Sequence, residues 1–163
     1  MSTTTEHRDA TIEAVEDIPA ITISRDFAAT TAQLVKAHTD PDLILQWLGP
    51  DGSTSTIDHW DARSGGSWRY VHVIEGEEYG FHGCFHTVRE DRLVQTFTFE
   101  GFLDSVALET MWFEELGEGR TRLHVHSLFD SYEARDGRLS SGMDVGVNDG
   151  YAKLDGLLAA GTL

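Results

Sequence analysis

The sequence is poor in cysteine, in basic residues and in long apolar runs, and each shortage closes off a class of function. Its single cysteine, Cys84, cannot close an intramolecular disulfide and has no cysteine partner for a zinc cluster. That fits a reducing compartment and a buried, inert thiol. Twelve Lys and Arg stand against 28 Asp and Glu, a formal charge of −16. A chain of that sign repels a nucleic-acid backbone instead of displacing its counterions, and anionic membrane surfaces are disfavoured for the same reason. No apolar stretch approaches the roughly 20 residues needed to cross a bilayer. The opening segment, MSTTTEHRDATIEAVEDIPA, lacks the apolar centre of a secretory signal and is acidic where a mitochondrial presequence is basic. The expected location is therefore the cytosol.

What the sequence does contain is an ordinary globular share of hydrophobic residues, 40% of 163, enough for one domain with its own core. Residues 1–18, rich in Thr, Glu and Asp, read as a flexible arm, and residues 19–163 as the domain. AITISRDF carries Ile21, Ile23 and Phe27 as a first strand. TTAQLVKAHTD opens on capping threonines, and Pro41 suits the first turn of a second short helix, PDLILQWL. From 53 to 129 the apolar period falls to two. Strands are expected at 53–60, 66–74, 78–89, 92–100, 106–115 and 120–129, parted by turn clusters such as RSGG, EGEE, REDR and LGEG. With the first strand this makes an antiparallel meander. Met143, Val147, Tyr151, Leu154 and Leu158 then mark one face of a long C-terminal helix.

Turn chemistry assigns faces. With Gly76-Glu77 as a two-residue turn, Trp68 opposes Phe85, Tyr70 opposes Gly83 and His72 opposes Phe81, and all six face inward. Arg69, Val71, His82, Cys84 and His86 take the outward side. With Gly117-Glu118 as the next turn, Leu108, Thr110, Trp112, Leu123 and Val125 face inward and Glu109, His124 and His126 outward, pairs that a different loop length would shift. A twisted meander with one aromatic face wraps around the long helix. Gly142, Gly146 and Gly150 recur at every fourth position there, which means either close packing or open space beside Met143, Val147 and Tyr151. Trp47, at the end of the second short helix, either completes the core or dips towards a cavity mouth.

The segments RDFAATTAQLVKAHTDPDLILQWLGPDG, DARSGGSWRYV, GCFHTVREDRLVQTFTFE, GRTRLHVHSLF and GMDVGVNDGYAKLDGLL resemble, in order and spacing, the family named after the activator of the heat-shock-protein-90 ATPase. That family lies within the START-like, polyketide cyclase-like superfamily called SRPBCC. The likeness runs over about residues 20–160, with Trp47-Leu48-Gly49-Pro50 and Gly65-Gly66 as its most specific elements. It implies an α+β helix-grip fold: a seven-stranded antiparallel sheet, two short helices after the first strand, and a long C-terminal helix across a hydrophobic cavity. Members of the superfamily bind lipids, hormones and polyketides, and some catalyse cyclisation or hydrolysis. Leu48, Ser127 and Val147 stand where the family often has a tryptophan, a histidine and an aromatic, all on the expected lining.

Several chemistries find no support in these residues. His82 with His86, and His124 with His126, pair on the outward face of strands that are not neighbours, short of the four converging ligands of a zinc site. Ser67 and Ser127 lack a nucleophile elbow, and RSGGSW lacks the lysine and the following helix of a phosphate loop. No metal and no cofactor are expected. The expected lining is Trp47, Trp68, Tyr70, His72, Phe81, Phe85, Trp112, Met143, Val147 and Tyr151, with His72 and Tyr151 as the candidate proton-transfer groups. The function so indicated is binding of a small hydrophobic or aromatic molecule by a monomer or homodimer. The alternatives are a polyketide cyclase-like or hydrolase-like enzyme and a stress-related protein-interaction module using the acidic exterior.

Overall fold

The computed structural model describes residues 9–163. Eight strands, all antiparallel, form one sheet: β1 (Thr11–Val15), β2 (Ala20–Phe27), β3 (Thr54–Trp60), β4 (Ser67–Ile74), β5 (Glu77–Val88), β6 (Arg92–Phe99), β7 (Ala107–Gly117) and β8 (Arg120–Leu128). Their spatial order is β1-β2-β8-β7-β6-β5-β4-β3. Helices α1 (Thr31–Thr39) and α2 (Pro41–Trp47) carry the chain from β2 to the far edge at β3, and α3 (Tyr132–Ser140) and α4 (Met143–Ala159) follow β8. No helix among the described residues is long and apolar enough to cross a membrane.

Seven strands become eight because part of the expected arm is ordered. Thr11–Val15 pairs with β2, placing Ile12 beside Ile23 and Ala14 beside Ile21. Its alternation is short and masked by acidic neighbours, so periodicity alone does not expose it. Residues 1–8 of that arm lie outside the described residues.

The helix starts follow local chemistry. Thr30 and Gln33 form a reciprocal capping box on α1, and Asp40 caps α2 with Pro41 in its first turn. The helix α3 is absent from the periodicity reading, although Ser131 caps it by accepting the Ala134 N–H at 3.0 Å. It is tied down by Arg135, whose buried guanidinium donates to the carbonyls of Val15 at 2.6 Å and Ala20 at 3.2 Å. Gly142 adopts φ +84° between α3 and α4, so it ends one helix instead of belonging to a stripe within the other.

Both hairpins differ from the expected turns, with different consequences. The first turns on Glu75-Gly76, both with positive φ, as a type I′ hairpin requires. Tyr70 therefore faces Phe81 and Trp68 faces Gly83. The pairs move by two residues, so the faces stand. The second turns on Glu118-Gly119, with Gly117 also at positive φ and a register shift between Glu115 and Gly117. That one-residue bulge reverses the parity of β7. Met111 and Phe113 point inward with Val125 and Leu123, while Leu108, Thr110 and Trp112 point outward.

Two buried clusters share the helix-facing side of the sheet. The larger joins Ile21, Ile23, Phe27, Leu123 and Val125 to α1, α2 and α4 through Leu34, Ile44, Trp47, Tyr151 and Leu154. The smaller is Trp68, Tyr70 and Phe85 on β4 and β5. Leu48, Ile57, Trp60 and Val88 pack against both.

Candidate ligand-binding face

The aromatic face expected on β4 and β5 forms a continuous plate. Trp68 and Tyr70 stack at 5.2 Å and 15°, Tyr70 stacks on Phe81 at 5.3 Å, and His72 meets both Tyr70 and Phe81. Phe97 of β6 extends it, 5.6 Å from Trp68 and 5.4 Å from Phe81. Gly83 makes the plate possible, since a Cβ there would lie 2.7 Å from Trp68 Cζ2. Trp68, Tyr70 and Phe85 are buried, whereas Phe81 and Phe97 are only half-buried.

Cover over this plate is thin. Among the described residues, no apolar side chain of α3 or α4 packs against the Trp68–Tyr70–Phe85 cluster. Met143, Val147 and Leu139 pack instead against the larger cluster. The group that does reach the plate is the Arg138 guanidinium, 4.8 Å from the centre of the Phe97 ring. The glycines of α4 also divide in role. A Cβ at Gly150 would lie 3.0 Å from the Trp47 carbonyl oxygen, which is close packing against α2. A Cβ at Gly146 would meet only Pro50 Cδ, at 3.8 Å, so that position has room.

The remaining expected residues fall in different places. Trp47 is 4% exposed, donates from Nε1 to the Ala37 carbonyl at 3.1 Å and lies 4.9 Å from the His38 ring. It belongs to the core and not to a cavity mouth. Tyr151 packs edge-on against Phe27 at 5.3 Å and lies 6.1 Å from Trp47. Trp112 is 38% exposed on the outer face and stacks on His124 at 5.0 Å, so it leaves the lining. Cys84 is exposed on that outer face, contrary to the buried thiol expected. An open recess of about 570 Å³ also lies there, bordered by Arg89, Asp91, Arg92, Trp112 and His126.

His72 is buried, with Nδ1 2.6 Å from the Ser55 hydroxyl and its Cε1 edge pressed towards Gly49. Burial, helped by the charge of Lys153, lowers its pKa to about 4. It is neutral near pH 7, so the imidazolium form that would serve as a general acid is not populated there. Burial likewise raises the Tyr70 and Tyr151 phenols, which stay protonated. His72 and Tyr151 pack in different surroundings, so the structure does not assemble them as a proton-transfer pair.

One inward polar group was assigned by the sequence to the wrong face. With the parity of β7 reversed, Glu109 sits opposite Gln95 on β6 and Ser127 on β8. The Gln95 amide donates to Oε1 at 3.0 Å and the Ser127 hydroxyl donates to Oε2 at 2.9 Å. The signal was the GEG triplet at 117–119, which supports a turn on Glu118-Gly119 with a glycine bulge before it. Among the described residues, no three His, Cys, Asp or Glu side chains converge as a metal site.

The model of the family described as Activator of Hsp90 ATPase homolog 1-like protein matches residues 28–159. The chain belongs to this family. No curated protein matches it. Among solved structures, the family member resembles a protein from Rhodobacter sphaeroides at 30% identity and TM-score 0.81, over 92% of this chain and 98% of that one. It is also similar to protein Ms6760 from Mycobacterium smegmatis, at 25% identity and TM-score 0.82, over 91% and 96%. DynU16, a protein of the dynemicin biosynthetic locus, shares the fold at 22% identity and TM-score 0.65, over 88% of this chain and 48% of that one. The fold is thus the α+β antiparallel sheet with a C-terminal helix found in the START-like SRPBCC proteins, with an added edge strand here. Proteins of this fold generally bind hydrophobic ligands.

Proposed function

We propose that this family member is a cytosolic binding protein, monomeric or homodimeric, for a small hydrophobic or aromatic molecule, held on the aromatic plate of β4–β6 beneath α3 and α4. The observation that carries this is a stacked aromatic plate whose buried Trp68–Tyr70–Phe85 part takes no apolar contact from α3 or α4 and whose Phe81 and Phe97 are only half-buried. Apolar surface left open under a polar cover is the usual make-up of a ligand site. The enzymatic alternative loses its candidate acid in the neutral, hydrogen-bonded His72.

Native mass spectrometry of protein from its own host, followed by calorimetry with naphthalene derivatives, tests this. A one-to-one aromatic ligand, displaced in Phe97→Arg and retained in Trp112→Ala, supports the plate. Retention in Phe97→Arg with loss in Trp112→Ala would move the site to the outer recess and defeat the reading. Each variant is checked for its melting transition first.

A further inference from the structure

The Glu109 carboxylate has no structural task that a neutral group could not perform. It lies on the helix-facing side of the sheet, between Gln95 and Ser127, and is half-buried. Its two hydrogen-bond partners are both neutral. Among the described residues it makes no ion pair. Arg25 donates to both carboxylate oxygens of Asp155, at 2.7 and 2.6 Å, and Arg138 lies over Phe97. A carboxylate offers about four lone-pair directions, so one accepted bond on each oxygen leaves each able to accept another. Gln95, its partner across β6, lies opposite Phe85 of β5 and two residues from Phe97 on the same strand face, which sets Glu109 at the border of the aromatic plate.

We infer that Glu109 is the polar anchor of the proposed ligand face, and that it selects a neutral aromatic molecule carrying a hydroxyl group, whose O–H donates to the carboxylate while the ring lies on the Phe81–Phe97 plate. This rests on the binding reading above. Charge decides between donors. Arg138 and Glu109 already contribute one positive and one negative charge to the same face. An aromatic amine would add a cation near Arg138, and an aromatic acid would bring a second carboxylate to Glu109. A neutral hydroxyl adds no charge and makes a charge-assisted bond, the stronger class of hydrogen bond.

The test is calorimetry on the full chain with four probes of one skeleton: 2-naphthol, 2-methoxynaphthalene, 2-naphthylmethylamine and 2-naphthoate. Wild type is expected to bind 2-naphthol about ten- to a hundred-fold more tightly than the methyl ether, the range for a hydrogen bond to a charged group. In Glu109→Gln, with an unchanged melting transition, that preference falls to a few-fold while affinity for the ether is unaltered. Ser127→Ala, which leaves the carboxylate in place, keeps the preference and serves as a second variant. Equal affinity for naphthol and ether in wild type, full preference in Glu109→Gln, or strongest binding of the amine or the acid overturns the inference and leaves aromatic binding intact. Failure of all four probes to bind overturns both.

Discussion

Acid should destabilise this protein through His72 well before its carboxylates matter. The imidazole is 7% exposed, with Nδ1 against Ser55 and Cε1 against Gly49. Its pKa drops from 6.5 to about 4, from burial first and Lys153 second. The unfolded chain therefore takes up a proton that the folded chain refuses between those two values. Stability is complete above pH 6.5, declines as pH falls, and stops declining on this account near pH 4. At 1.36 kcal/mol per unit the full gap would be about 3 kcal/mol, and the solvent contact left to the ring lowers this to about 2. His38, buried with Nδ1 2.7 Å from the Leu34 carbonyl oxygen, is shifted the same way by burial and adds to the slope. Glu100, held down to about 2 by Arg69 and then His82, loses its contribution only as pH falls below about 4.5. The assay is urea unfolding at pH 7.5, 6.0 and 5.0 for wild type and His72→Gln. The variant should lose about 2 kcal/mol less than wild type over the window, the ceiling set by the linkage. Equal slopes, or an NMR titration of His72 with a midpoint near 6.5, would refute the reasoning.

Two further expectations concern packing. Gly150→Ala forces a methyl to 3.0 Å from the Trp47 carbonyl oxygen and should lower stability by about 1–3 kcal/mol. Gly146→Ala, with its nearest neighbour at 3.8 Å, should be neutral or stabilising by up to about 1 kcal/mol, and thermal melts of the two variants side by side check the sign of each. Trp112→Ala removes only an exposed stack on His124, so urea unfolding should show a loss within about 1 kcal/mol, whereas Trp68→Ala, at 1% exposure, should lose about 3–5.

Much of this architecture was legible because one signal suffices for it. The period of two from 53 to 129, the capping threonines, Pro41 and the spacing of Met143, Val147 and Tyr151 each act locally, and β2 to β8, α1, α2 and α4 lie where these features put them. The Trp68–Tyr70–His72 face survived an incorrect turn because its pairs slipped by two residues, which preserves parity. The β7 face did not survive, because one bulged residue at Glu115–Gly117 exchanges the two sides of a strand. That single residue turned Trp112 to the outer face and Glu109 to the helix-facing side. The strand β1 and helix α3 were hidden for another reason. Their stability comes from partners far away in sequence, Ile21 and Ile23 for one and the Val15 and Ala20 carbonyls for the other.

The two clusters divide the labour of the fold. The C-terminal helix is fastened to the β2–β8 half by Tyr151 against Phe27, by buried Leu154, and by the two-pronged Arg25–Asp155 pair. The β4–β6 half carries aromatics that stack mainly on one another, with Phe81 and Phe97 only half-buried. The anchorage of α4 is thus separate from the aromatic plate, since the apolar contacts that hold α4 are made with the other half of the sheet. Such a division suits a fold that solved structures keep at 20–30% identity, because residues of the plate can change without loosening the contacts that hold α4.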